Sequence, residues 1–194
     1  MMSTELTKYQ TNYVAKKALF SFLGNTFRIF DTSNALQFYI KQKAFKLKEE
    51  IVVFGDEAQT TKRLTIKARS RSDFSGVYDI TDAVTGEQVG GAKRHGLKSM
   101  FRDEWSILKD DQEIGKVVES ASMIELLLRR VIPIIPQKYT VTINGQTVGQ
   151  INQRFQFFQK TYDVDFSAGA GQFDPRLGVA LTVLLLAIES GRDH

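Results

Sequence analysis

The chain has 194 residues, of which 42% are hydrophobic and 25% are charged, a composition that indicates one globular domain and excludes disordered and collagen-like chains. Cysteine is absent, which excludes a disulfide scaffold, a thiol nucleophile, an iron–sulfur site and cysteine-ligated zinc. The 26 lysines and arginines exceed the 22 acidic residues, a balance that suits weak attraction to anionic surfaces but lacks the dense basic helix of nucleic-acid-binding proteins.

The chain begins with a polar, charged extension, residues 1–12, that lacks the apolar run of a secretory signal. We therefore expect a cytoplasmic protein with one folded domain, residues 13–194. Within this domain an early repeat relates residues 13–19, YVAKKAL, to residues 39–45, YIKQKAF. Each copy is followed by a strand-like segment that ends near an aspartate.

From Tyr13 to Val164 apolar residues recur mostly at a spacing of two, and turn-forming clusters interrupt them about every eight to twelve residues, which predicts a meander of short strands. The sharpest interruption is Asn144-Gly145, because a two-residue type I′ turn needs positive φ at both positions and Asn followed by Gly tolerates this best. Since closure removes exposed strand edges, we expect the hairpins to form a closed antiparallel barrel.

A second repeat consists of an aromatic-x-aliphatic segment, a turn, and an aliphatic-Gly-x-apolar segment. Its three copies lie in residues 78–92, 105–117 and 139–151. In a regular strand the aromatic and aliphatic residues share one face, whereas the glycine falls on the other face and admits a neighbouring backbone or ring. We interpret this repeat as hairpin packing.

Residues 120–131 break the alternation and place apolar side chains at helical spacing ahead of Pro133, which predicts a short amphipathic helix. Such a helix caps one end of the barrel, lies on a membrane surface, or forms an oligomer contact. Of these alternatives we favour the cap. If the segment is an interaction surface, its candidate residues are Leu126, Leu127 and Arg130.

A C-terminal helix is predicted for residues 175–190, with Asp174 as its N-cap, Pro175 at its first position and Gly191 as its stop. Its central residues, 177–188, contain one hydroxyl and no charge. Twelve residues rise only about 18 Å as a helix, well short of the roughly 30 Å hydrocarbon core of a bilayer, so we expect no transmembrane span. A helix that is apolar on every side must be buried in protein, and we place it at the centre of the barrel.

In this order along the chain, these features resemble the Tubby C-terminal-like superfamily, and more closely the bacterial LURP-one-related branch, whose relatives include the phospholipid scramblases. The resemblance covers Tyr13 to Ile188 and is carried by residues 39–45, Asp31, Asp56, residues 78–82, 139–145 and 162–166. It implies a mainly β fold of about twelve antiparallel strands closed around one central hydrophobic helix. For function it implies less, because Tubby domains bind phosphoinositides through basic residues whereas scramblases are linked to calcium and lipid movement.

Two basic runs are the candidate binding residues for a lipid headgroup. The denser run contains Lys93, Arg94, Lys98 and Arg102, and its arginines suit bidentate contacts to phosphate. The second run contains Lys67 and Arg69, which alternation puts on one side if the strand continues. A solvated hairpin connection is the alternative interpretation, because charge runs are usually exposed faces.

Asp163 and Asp165 are the candidate metal ligands, because alternation puts both carboxylates on one face of a strand in the region where scramblases carry an acidic segment. Calcium requires six to eight oxygen ligands, and two carboxylates fall short of that number. Enzymatic signatures are lacking as well. There is no G-x-S-x-G motif, and with His194 at the chain end, a catalytic triad would depend on His95 alone.

The sequence therefore predicts a non-enzymatic binding domain without a cofactor, which recognises anionic phospholipid headgroups through a basic surface patch and lies peripherally at the membrane. The alternatives are a structural or protein-interaction module without a lipid role, and a scramblase-like activity on membranes. We expect an anionic lipid or a protein as the partner and no nucleic acid.

Overall fold

In the residues that the structure describes, twelve antiparallel strands close into a barrel in which β1 pairs with both β2 and β12. The structure is a computed structural model and describes residues 9–18, 25–42, 50–69, 76–95, 103–122, 125, 135–156 and 159–192. The strands are β1 (Asn12–Ala18), β2 (Asn25–Phe30), β3 (Leu36–Gln42), β4 (Ile51–Phe54), β5 (Lys62–Ala68), β6 (Val77–Asp82), β7 (Gln88–Arg94), β8 (Glu104–Lys109), β9 (Gln112–Glu119), β10 (Lys138–Ile143), β11 (Gln146–Arg154) and β12 (Gln159–Asp165). A short 3-10 helix, Ser167–Gly169, then leads to the helix α1, Pro175–Arg192. The predicted closed barrel with a C-terminal helix is confirmed.

The hairpins β2–β3, β4–β5, β6–β7, β8–β9 and β10–β11 all turn at one end of the barrel, which we call the turn end. The Asn144-Gly145 turn has φ of 49° and 79°, as the predicted type I′ turn requires. The helix α1 also begins at the turn end, because Arg176 in its first turn contacts Asp82 and Glu87 of the β6–β7 hairpin. The connections at the opposite end contain residues outside the described ranges.

Each of these five hairpins carries a one-residue bulge near its turn, where two residues of one strand oppose one of the other. In β6–β7, for example, Ile80 pairs with Gly90 whereas Thr81 pairs with Gln88, so Val89 is the extra residue. A bulge shifts the side-chain alternation by one position. This is why Val89 and Ala92, three residues apart, both lie in the core.

The bulges also correct one prediction, because the glycines of the repeat do not lie on the face opposite to the aromatic residues. Cross-strand partners share a face, and Gly90 and Gly149 pair with the core residues Ile80 and Val141. Their missing side chains make room inside the barrel. A Cβ on Gly90 would lie 3.1 Å from the side chain of Leu177, and one on Gly149 would overlap the ring of Phe166.

The helix α1 packs inside the barrel, where its residues 177–187 are buried on all sides among the inward side chains of the strands. Its predicted start is confirmed, since the backbone N–H of Arg176 donates to Oδ1 of Asp174 at 2.9 Å and Pro175 is the first helical residue. It ends at Arg192, one residue beyond the predicted stop at Gly191. Of the helical segments within the described ranges, none combines the length and the hydropathy needed to cross a bilayer.

The helix predicted at residues 120–131 lies mostly outside the described residues. Its beginning is described: the backbone N–H of Ser122 donates to Oε2 of Glu125 at 2.7 Å, and the N–H of Glu125 donates to Oγ of Ser122 at 3.2 Å. This reciprocal pair is a capping box, the arrangement that begins an α-helix.

Candidate functional site

The described residues of the two predicted basic runs lie on β5 and β7 or, for Arg69, directly after β5, and β6 lies between these strands. Lys67 pairs with Asp79 of β6, and Lys93 of β7 pairs with Val77, to whose carbonyl the backbone N–H of Arg69 also donates. At the usual strand spacing the two runs are therefore about 10 Å apart. We call Lys67, Arg69 and Lys93, which all project from the outer face of the barrel, the outer stripe.

The members of the outer stripe differ in their partners. Lys67 and Lys93 are exposed and form no ion pair with any residue that the structure describes. Arg69 is held by two carboxylates: its Nη2 lies 2.6 Å from Oδ1 of Asp79 and 2.6 Å from Oδ1 of Asp111. These hydrogen bonds, first that of Asp79 and then that of Asp111, raise the pKa of Arg69. The outer stripe thus combines one guanidinium held by two carboxylates with two exposed ammonium groups that have no ion-pair partner among the described residues.

Asp111 lies at the tip of the β8–β9 hairpin, whose strand β8 pairs with β7 through partners that include Leu108 and Gly91. Leu108 is buried without joining the barrel core, and a Cβ on Gly91 of β7 would lie 3.6 Å from its Cβ. The turn itself consists of Asp110 and Asp111, with φ of 50° and 61°. The hairpin tip therefore brings a carboxylate to a side chain three strands away.

Of the other predicted members of the basic patch, Arg94 is not brought to this surface. Arg94 pairs with the inward-facing Trp105, and its Nη2 lies 3.5 Å from Oδ1 of Asp103, which is 2% exposed. Its side chain is therefore on the face opposite to that of Lys93. Lys98 and Arg102 lie outside the described residues.

A hydrogen-bonded chain that the sequence analysis missed joins His95, Ser106 and Glu113 next to the outer stripe. Nε2 of His95 lies 2.7 Å from Oγ of Ser106, which donates to Oε2 of Glu113 at 2.5 Å. This hydrogen bond, opposed by partial burial and assisted by Lys116, lowers the pKa of Glu113. No local motif marks these residues, because strand pairing brings them together.

The order of these three hydrogen-bonded side chains differs from that of a hydrolytic triad, in which histidine lies between the serine and the carboxylate. Here Ser106 is the central residue and is completely buried. A nucleophile must be reachable by its substrate, and this hydroxyl is not. These hydrogen bonds fix His95, at the beginning of the β7–β8 connection, to the barrel wall.

The two candidate metal ligands both have partners within the protein. Arg154 binds Asp163 through Nε, 2.6 Å from Oδ2, and through Nη2. Asp165 accepts hydrogen bonds from the backbone N–H and Oγ of Ser167 at 2.8 and 2.6 Å. Among the described residues, no three acidic or histidine side chains form a group suited to a metal ion. The candidate interaction residues Leu126, Leu127 and Arg130 lie outside the described ranges.

A largely buried ionic network surrounds Arg176 at the start of α1. Its Nη1 lies 3.0 Å from Oδ2 of Asp82 and 2.7 Å from Oε2 of Glu87, and its Nη2 lies 2.8 Å from Oδ2 of Asp174. The hydrogen bond with Asp174, followed by those with Glu87 and Asp82, raises the pKa of Arg176 despite its burial. This network joins the central helix to the barrel wall and was also missed from the sequence.

The chain is similar to a known family and to a solved structure. A family model described as LURP-one-related matches residues 11–186. The X-ray structure of a protein from Arabidopsis thaliana is similar to this chain with 15% identity and a TM-score of 0.49, covering 97% of this chain and 96% of that one. No curated protein matches the sequence.

Proposed function

Since this chain belongs to the LURP-one-related family of the Tubby-like superfamily, we propose that it is a non-enzymatic binding domain that recognises anionic phospholipid headgroups through the outer stripe, Lys67, Arg69 and Lys93. In this proposal the protein lies peripherally at the membrane. Lys98 and Arg102, which follow β7 in the sequence, stay candidate headgroup contacts from the sequence and lie outside the described residues.

The observation that carries the proposal is the arrangement of charge on the outer stripe. Lys67 and Lys93 are exposed, and the part of the chain that the structure describes contains no carboxylate paired with either. Ammonium groups on flexible stems adapt to different phosphate positions, whereas Asp79 holds the planar guanidinium of Arg69 in one orientation. A barrel wall that presents both kinds of donor suits a headgroup phosphate.

Co-sedimentation with vesicles tests this proposal. The protein is mixed with neutral and with anionic vesicles at low and at physiological salt, and the bound fraction is measured. We expect binding to anionic vesicles alone, weakened by salt because the contacts are exposed. The double variant Lys67→Gln/Lys93→Gln should lose about tenfold or more in affinity, since each basic residue near an anionic surface contributes about 1 kcal/mol.

The matched control is Lys41→Gln/Lys138→Gln, which removes the same charge from exposed positions on β3 and β10. We expect the control to retain most of the wild-type affinity. Equal losses in the two double variants would refute the assignment to the outer stripe. Absence of wild-type binding to anionic vesicles would refute the lipid-binding function itself.

A scramblase-like activity would require α1 to leave the barrel, and the structure does not favour this. Residues 179–186 are buried, and three carboxylates hold Arg176 at the start of the helix. We expect strong protection of these amides from hydrogen exchange in detergent-free buffer. Fast exchange there would reopen the scramblase hypothesis.

A further inference from the structure

The outer stripe already holds an anion of the protein's own, the carboxylate of Asp111. Asp79 and Asp111 both contact Nη2 of Arg69, but they come from different places. Asp79 lies on the neighbouring strand β6, directly opposite Lys67. Asp111 belongs to the tip of the β8–β9 hairpin, beyond β6 and β7. The carboxylate of Asp79 is therefore part of the barrel wall at the site, whereas the carboxylate of Asp111 reaches the site from a separate hairpin.

The contact between Arg69 and Asp111 is of a kind that a ligand can displace. The side chain of Arg69 is 37% exposed and that of Asp111 is 70% exposed. Exposed ion pairs contribute only about 0.2–1 kcal/mol, so an incoming anion loses little by breaking one. The adjacent residue of the same turn, Asp110, is also exposed and forms no ion pair with the described residues.

We propose that Asp111 is a built-in competitor for the anionic ligand of the outer stripe and sets how much negative charge a surface needs in order to bind. This inference rests on the proposed function. The three basic side chains together with the carboxylates of Asp79 and Asp111 carry a net charge of only +1. A phosphate that displaces Asp111 takes its place at Nη2 of Arg69 while Asp79 keeps its hydrogen bonds, and the protein groups that remain at the site carry a net charge of +2. A membrane surface with few anionic lipids does not compensate for the loss of the Arg69–Asp111 ion pair. A surface with many anionic lipids does so through additional contacts with Lys67 and Lys93.

The test compares Asp111→Asn with Asp110→Asn, which removes the same charge from the adjacent position of the same turn. Asparagine tolerates the positive φ of both positions, so the hairpin is retained, and unchanged thermal unfolding confirms this. The probe is phosphatidylcholine vesicles with increasing phosphatidylserine content. We expect Asp111→Asn to bind about two- to fivefold more tightly than wild type, as the loss of an exposed pair allows, and to need less phosphatidylserine. Asp110→Asn should stay much closer to wild type.

The possible results separate this inference from the function on which it rests. If wild type binds but both variants bind like it, or both bind more tightly by the same factor, the competitor role of Asp111 is refuted and lipid binding stands. If Lys67→Gln/Lys93→Gln binds like wild type, the outer stripe is not the site, and the inference fails with it. If neither wild type nor Asp111→Asn sediments with any anionic vesicle, the proposed function itself is refuted.

Discussion

Two arginines of this barrel are each held by several carboxylates, and their burial gives them different roles. Arg176 joins α1 to the β6–β7 hairpin, and its side chain is 6% exposed. Arg69 joins β6 to the tip of the β8–β9 hairpin, and its side chain is 37% exposed. Removing one partner of a buried pair leaves an uncompensated charge, whereas an exposed pair is replaced by water at little cost. Guanidinium–carboxylate pairing thus stabilises the fold at Arg176, whereas at Arg69 it forms a surface contact whose loss costs little stability.

The position of Arg176 strengthens this contrast. A positive charge in the first turn of a helix is opposed by the helix dipole, whereas carboxylates near the same end are favoured. Three carboxylates surround the guanidinium there. Those of Asp82 and Glu87 come from the β6–β7 hairpin, and that of Asp174 comes from the residue that caps the helix. All three carboxylates pair with the same guanidinium, so loss of Arg176 should lower the stability of the fold strongly.

The largest predicted effect is that of Arg176→Met on stability. The variant leaves Asp82 buried without its cationic partner, and we expect the free energy of unfolding to fall by about 3–5 kcal/mol. Urea denaturation measures this. Arg154→Met is the matched control, because Arg154 also pairs with a carboxylate, Asp163, but is 51% exposed, and it should cost less than about 1 kcal/mol. Equal losses would show that burial does not separate the two kinds of pair.

The next effect is on the pH dependence of stability. Burial opposes ionisation of Asp82, but hydrogen bonds from Arg176 and from the backbone of Thr85 and Val84 outweigh it and hold the pKa of Asp82 below its ordinary value of 3.8. The folded state therefore binds this proton less tightly than the unfolded chain does. The resulting stabilisation is complete above that ordinary value and is lost as the pH falls through the lower folded value.

Urea denaturation between about pH 6 and about pH 3 tests this dependence. Stability should decrease at the acid end, and Asp82→Asn should make the decrease shallower. A variant curve parallel to that of wild type would contradict the role assigned to Asp82. Asp31, whose pKa is lowered by hydrogen bonds from Ser33 and Ala35, is expected to maintain part of the acid dependence in the variant.

The smallest effect on stability is that of Arg69→Gln. Because both of its ion pairs are exposed, we expect the free energy of unfolding to change by less than about 1 kcal/mol. The same variant should nevertheless lose several-fold in affinity for anionic vesicles, measured by co-sedimentation. A large loss of stability would place Arg69 with Arg176 as a structural residue and remove it from the proposed site.

Local patterns in the sequence were sufficient for some of these features. Asp174-Pro175 marked the start of α1, and Asn144-Gly145 marked its hairpin turn, because capping and turn chemistry depend on adjacent residues. The closed barrel followed from alternation and the need to remove edges. The faces of the glycines were predicted wrongly because the bulges are visible only in the pairing of two strands.

The site was predictable to a smaller extent. Alternation correctly put Lys67 and Arg69 on one side of a strand, but the same rule separates Lys93 from Arg94, which the sequence analysis had grouped as one run. The contacts that decide the chemistry join distant parts of the chain. Asp111 reaches Arg69 across two strands, and Arg176 meets Asp82 94 positions away, distances along the chain that no local pattern reports.

Side-chain NMR of the arginines tests the central claim most directly. The protein, labelled with ¹⁵N, is titrated with bicelles that contain an anionic lipid, and the Nε–H signals of Arg69 and Arg176 are followed in the same spectra. We predict that the Arg69 signal shifts in proportion to the bound fraction while that of Arg176 stays unchanged. A silent Arg69 signal during binding, or a shift of Arg176 instead, would contradict the assignment of the exposed arginine to the ligand and of the buried one to the fold.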